Sequence, residues 1–118
     1  MREIKFRAWD KLNKDMFNVE SINFQERRVY KDTVSYRKFE DIDLMQYSGL
    51  KDKNNKEIYE GDIFHIGSKK ILYVVEWIDF GLKGRQIKNI SWIGLDYWKD
   101  DIEVIGNIYE NPELMEDE

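Results

Sequence analysis

Between Leu44 and Phe64 the chain reads LMQYSGLKDKNNKEIYEGDIF, and this stretch constrains the fold more than any other. Ser48 to Glu57 has the chemistry of a hairpin and Glu60-Gly61-Asp62 that of a second corner, set between apolar-rich stretches. A chain that turns twice within so few residues lays short strands side by side. Asp52 is suited to accept hydrogen bonds from backbone amides, and Asn54-Asn55 tolerate the positive φ that tight hairpin turns demand. Gly61 supplies a conformation closed to other residues at the second corner. The four carboxylates of the stretch, Asp52, Glu57, Glu60 and Asp62, are therefore read first as formers of turns.

A period of two governs much of the remaining chain. In Ile4-Lys5-Phe6-Arg7-Ala8-Trp9, alternation places Ile4, Phe6 and Ala8 on one face of a strand and Lys5, Arg7 and Trp9 on the other. Asp10 to Asp15 reads as a loop, and Met16 to Val19, Ile22 to Phe24 and Arg28 to Tyr30 continue a meander. Residues 31–43 fit two readings, a strand over Thr33 to Tyr36 or a helical turn opened by Ser35. Leu44 to Tyr47, Glu57 to Tyr59 and Ile63 to Ile66 follow as strands. ILYVVEWIDF, from Ile71 to Phe80, is rich in β-branched and aromatic residues and is the expected central strand. Gly81 to Asn89 is expected to be a loop with an exposed tip, Ile90 to Leu95 to resume pairing, and Trp98 to Asp101 to turn. Glu103 to Tyr109 is the last strand, with Gly106 marking a bulge or a close backbone approach. Asn111-Pro112-Glu113 has the form of a helix start, predicting a short helical turn toward Met115.

These readings predict a mainly β fold, a small antiparallel barrel or half-open roll with a short C-terminal helical turn. One domain is expected over residues 1–118, with any sub-boundary at 31–43. A chain of 118 residues can bury roughly two-thirds of its unfolded surface, and an apolar content of 42% with 14% aromatics suits a packed core. The absence of cysteine excludes disulfides, thiolate nucleophiles, zinc ribbons and iron–sulfur clusters. No eighteen apolar residues run together, and MREIKFRAWDK has no continuous apolar stretch, so a soluble, unexported protein is expected.

Three segments together resemble the YopX family of bacteriophage and prophage proteins. They are Ile4-Lys5-Phe6-Arg7-Ala8-Trp9-Asp10, the central Leu44 to Asp52 with Lys56 to Ile63, and Val104-Ile105-Gly106-Asn107-Ile108-Tyr109-Glu110-Asn111-Pro112-Glu113-Leu114. The resemblance rests on their order and combination, and Asn55 stands where family members often carry glycine. It implies a small phage- or prophage-encoded protein of mainly β architecture in the bacterial host cytoplasm. It assigns no catalytic residue.

The residues themselves favour no chemistry. His65 is the single histidine, which excludes a two-histidine metal site, and no Gly-x-Ser-x-Gly elbow accompanies it. Glu57, Glu60 and Asp62, with or without Asp52, lack calcium-loop spacing, and Gly81-Leu82-Lys83-Gly84-Arg85 lacks that of a phosphate-binding loop. No catalytic, cofactor-binding or metal-binding residue is assigned, no cofactor is expected, and the protein is read as a non-enzyme. Net charge is −5, yet residues 1–38 hold ten Lys/Arg against six Asp/Glu, while residues 39–118 hold nine against eighteen. This contrast, with the abundance of Trp and Tyr, favours a protein-interaction or oligomerising module whose partner is itself or a host or phage protein. The alternative is a single-stranded nucleic-acid binder using Arg27, Arg28, Tyr30, Lys31, Tyr36, Arg37 and Lys38, where cations alternate with aromatic rings.

Overall fold

The computed structural model describes residues 3–89 and 91–116, and every strand ladder in it is antiparallel. The chain gathers into two units, residues 3–46 and residues 47–116. Among the described residues no helix is long and apolar enough to cross a membrane.

The first unit holds β1 (Phe6–Asp10), β2 (Asp15–Asn18), β3 (Ser21–Asn23), β4 (Arg28–Tyr30), β5 (Tyr36–Lys38) and the start of β6 (Ile42–Lys51). Strand β1 lies between β2 and the first half of β6, whereas β3, β4 and β5 form a meander. Ala8, Val29 and Ile42 make its buried core, with Phe17, Val19 and Phe39 packed around them. Period two held only in part here, because Ile4 precedes β1 and is exposed, while Arg7 is buried. The Arg7 Nε lies 3.4 Å from Sδ of Met45, the residue directly opposite on β6. Each reading of residues 31–43 catches part of the observed structure. A strand begins at Tyr36 and is followed by a 3-10 turn over Phe39–Asp41. Ser35 does not open that turn, since Asp32 Oδ1 accepts the Val34 and Ser35 N–H groups and bends the chain beforehand.

In the second unit the remainder of β6 pairs with β7 (Glu57–Tyr59) through Tyr47↔Tyr59 and Lys51↔Glu57. A five-stranded sheet follows, built from β8 (Asp62–His65), β9 (Tyr73–Ile78), β10 (Gly81–Gln86), β11 (Trp92–Gly94) and β12 (Glu103–Asn107). Its order, β11-β10-β9-β8-β12, puts the apolar ILYVVEWIDF segment at the centre as expected. The sheet does not close, so the half-open form has two edges, β11 and β12. Ile58, Phe64, Tyr73, Val75, Leu95, Ile102 and Val104 form the core, and the fully buried Phe64 ring stacks on Tyr73 at 5.3 Å. Burying such a ring contributes on the order of 2–3 kcal/mol.

Two expectations for this unit are corrected. Residues 81–86 are a strand rather than a loop, because the preceding Asp79 turns the chain with φ 57° and leaves Gly81 paired with Ile78. Gly84 is a packing glycine, since a Cβ there would stand 2.5 Å from Cζ of Phe64. A single helical turn, α1 (Leu95–Trp98), precedes the Trp98 to Asp101 turn and buries Leu95. Ile90, placed in a strand by the sequence, lies outside the described residues, and β11 begins at Trp92. The bulge at Gly106 is present, where pairing passes from Val104↔Phe64 to Gly106↔Ile63. Pro112–Met115 is a 3-10 turn, as the C-terminal helix start predicts, but Asn111 does not cap it with its side chain.

Candidate functional site

The acidic stretch folds as two corners. Asp52 is buried, and its Oδ1 accepts the Asn54 and Lys56 N–H groups at 2.9 Å each while Oδ2 accepts the Val104 N–H at 2.9 Å. The Lys53 N–H reaches the Ile102 carbonyl at 2.9 Å, so the same hairpin is fastened to the start of β12. Asn55 holds φ at 68°, the left-handed conformation expected of it. At the second corner Gly61 has φ 89°, its N–H reaches the Val75 carbonyl, and Asp62 Oδ2 accepts the Tyr59 N–H at 2.8 Å. Glu57 Oε1 accepts a 3.3 Å bond from the Tyr59 hydroxyl. Asp52 and Asp62 thus spend acceptor capacity on backbone amides, which a site for a hard cation would need free.

His65 is buried within β8. Its Nδ1 accepts the Gly67 N–H at 3.1 Å, which places the ring proton of the neutral form on Nε2, 2.9 Å from Glu103 Oε1. Glu103 sits across the ladder from His65 and also lies 3.7 Å from Lys53 Nζ. Nδ1 is thus engaged by the backbone just beyond β8, whereas the buried Nε2 faces Glu103 of β12 without a well-directed hydrogen bond. Among the described residues, no three His, Asp or Glu side chains are gathered as metal ligands.

Two further corners escaped notice as such in the sequence. Asp10 is fully buried at the end of β1, with Oδ1 accepting the Leu12 and Asn13 N–H groups and Oδ2 accepting from Asn13 Nδ2 and, at 2.6 Å, from Arg37 Nε. Burial pushes the Asp10 carboxyl up, but the bonds from Asn13, Arg37 and Leu12 outweigh it and hold the group well below the usual carboxylate range. Asn107 Oδ1 accepts the Tyr109 and Glu110 N–H groups, and its own N–H donates to Asn111 Oδ1 at 3.1 Å. The signal for both was present, an Asp or Asn at a strand end followed by a polar loop.

Strand alternation sorts the seven basic and aromatic residues of 27–38. The registers Asn23↔Arg28↔Lys38 and Ser21↔Tyr30↔Tyr36 put Arg28, Tyr30, Tyr36 and Lys38 on one face of the β3-β4-β5 sheet. Val29 and Arg37 take the other, where Val29 is in the core and Arg37 pairs with Asp10. Arg28 Cζ lies 4.1 Å from the centroid of the Tyr36 ring, and the Tyr30 and Tyr36 rings are 5.6 Å apart. The Tyr30 side chain raises the Arg28 pKa by hydrogen bonding, keeping the guanidinium charged. Arg27 lies outside the strands, over Phe39 at 5.4 Å, and Lys31 lies over Phe17 at 5.1 Å.

The charge contrast at residue 38 does not follow the two units. Glu40, Asp41 and Asp43 belong to the first, so residues 1–46 hold ten Lys/Arg against nine Asp/Glu, and residues 47–118 nine against fifteen. The second unit instead exposes large apolar side chains around the hairpin of β9 and β10, on β11 and on α1. Trp77 is 50% exposed, Phe80 at the turn 101%, Trp92 53% and Tyr97 83%.

Comparison with known proteins places this arrangement in a lineage. The chain is similar over 98% of its length to protein EF1440 from Enterococcus faecalis, covering all of that chain, with 29% identity and a TM-score of 0.78. It shares its fold with protein yopX from Bacillus subtilis, at 21% identity and a TM-score of 0.65 over 97% of each chain. No curated protein matches. The family described as YopX protein matches residues 5–116, a span that takes in the corners at Asp10, Asp52, Asp62 and Asn107, and the chain accordingly belongs to the YopX family.

Proposed function

We propose that this chain is a non-enzymatic protein-interaction module, encoded by a phage or prophage and working in the bacterial cytoplasm, that associates first with copies of itself. The observation that carries the reading is the set of exposed rings at Trp77, Phe80, Trp92 and Tyr97 in the second unit. Tryptophan and tyrosine supply contact area at low entropic cost, and rings left in water beside an unpaired sheet edge are an interface in waiting. Register adds to this. The Gln86 N–H donates to the Ser91 carbonyl, so Gly84↔Ile93 is the next hydrogen-bonded pair and the main-chain groups of Trp92 point away from β10. An edge strand with outward amides and a flanking ring accepts a further strand readily. A non-catalytic role accords with His65, Asp52 and Asp62 each bonded within structural corners.

Sedimentation of the purified protein across a concentration series tests the reading, together with affinity purification from prophage-induced cells. Association that weakens in Trp92→Asp supports it. A monomer at every concentration, with nothing recovered from cells, removes it.

A further inference from the structure

A second surface, independent of those rings, lies on the first unit. We propose that the face of the β3-β4-β5 sheet bearing Arg28, Tyr30, Tyr36 and Lys38 binds single-stranded nucleic acid, two bases stacking at the tyrosine row while the cation row takes the phosphates. The two rows are distinct in the register. Tyr30 and Tyr36 are directly opposite each other, as are Arg28 and Lys38, and the rows are two residues apart along each strand. That offset is about 7 Å, comparable with the reach from a nucleobase to its own phosphate. Arg27 and Lys31, which flank β4, lie over Phe39 and Phe17, rings packed against the Val29 side of the sheet, and so stand outside this face. Ser21 and Asn23 on β3 continue the same face as small polar neighbours of Tyr30 and Arg28.

The chemistry favours single strands over duplexes. A ring on a β surface stacks on an unpaired base regardless of its identity, whereas a duplex hides those faces. Arg28 already stacks on Tyr36, an arrangement in which the guanidinium can continue the stack while its edge meets a phosphate oxygen. The neighbouring acids set a limit. Glu26 lies 3.6 Å from Arg28, and Asp32 is held ionised by the Ser35 and Val34 amides, so affinity at physiological salt is expected in the micromolar range. Arg37 contributes nothing to the face, because its guanidinium is committed to Asp10.

The test is fluorescence anisotropy with labelled oligo-dT, oligo-U and a DNA duplex of equal length. With about two phosphates neutralised, single-strand binding falls roughly sevenfold between 50 and 200 mM salt. The double variant Arg28→Gln, Lys38→Gln and the single variant Tyr36→Ala each weaken binding about tenfold or more with the melting transition retained. Lys69→Gln with Lys70→Gln, in the second unit, leaves it unchanged. Equal binding of the two oligomers supports phosphate and base-face contact alone, and tighter oligo-U supports added contact with the 2′-hydroxyl. No binding at 50 mM salt up to about 100 µM protein overturns the proposal, as does binding that the double variant leaves intact or the Lys69/Lys70 variant abolishes. None of these readings depends on whether the protein self-associates.

Discussion

Replacing Asp52 with alanine should destabilise the second unit more than any other loss of a turn residue there. The carboxylate accepts three backbone amides, at Asn54, Lys56 and Val104. Val104 is 8% exposed, so its N–H is left buried without an acceptor, at a cost of about 1–3 kcal/mol. The Asn54 and Lys56 amides can turn to water and lose about 0.5 kcal/mol each. The sum is about 2–4 kcal/mol, which for a chain of this length lowers Tm by roughly 8–15 °C. Urea unfolding followed by tryptophan fluorescence measures it, and three of the four tryptophans, Trp77, Trp92 and Trp98, lie in the second unit. Asp52→Asn keeps one acceptor oxygen and should cost about half as much. Asp96→Ala, on an exposed carboxylate of α1, should stay within about 0.5 kcal/mol. If Asp52→Ala unfolds at the same urea concentration as Asp96→Ala, the corner does not hold β12 and the account of this region fails.

Gly84→Ala should cost about 1–3 kcal/mol by calorimetry despite the better strand propensity of alanine, because its Cβ meets the fully buried Phe64 ring; a stabilised variant would show that ring free to move. At Asn55, with φ 68°, Asn55→Gly should raise stability by up to about 1 kcal/mol, and Asn55→Ala should lower it by about as much. Asp10 has a folded pKa depressed below its unfolded value of 3.8, so its contribution is full above that pH and is lost as pH falls through and below it. Asp10→Asn should therefore destabilise the protein at neutral pH by about 2 kcal/mol and flatten the loss of stability below about pH 4; an unchanged acid limb would refute the assignment.

The corners were the most legible part of the fold. Asp52, Asn55, Gly61 and Gly106 act through their own backbone or that of near neighbours, and a sequence displays such local chemistry directly. The central strand was legible for a related reason, since its consecutive buried residues Tyr73, Val74 and Val75 are aromatic and β-branched, a composition that marks a strand without alternation. Gly84 misled because glycine marks turns and close contacts alike, and only Phe64, twenty residues earlier, decides between them. Arg37 misled in the same way. Its neighbours suggested an open cationic run, but a buried carboxylate at Asp10 had already claimed it. Functional surfaces depend on such distant pairings and on which side of a sheet each residue takes, so the sequence offered the ingredients of the 27–38 surface without its two faces.

The hairpin that Asp52 and Lys53 fasten beside β12 has a consequence for assembly. Filaments of stacked sheets need two sticky borders on every copy, one to receive and one to offer. In the five-stranded sheet the start of one border, β12, is already bonded from within, which leaves β11 as the more open side. A strand added to this sheet would therefore enter from one side, a geometry that pairs molecules rather than chaining them.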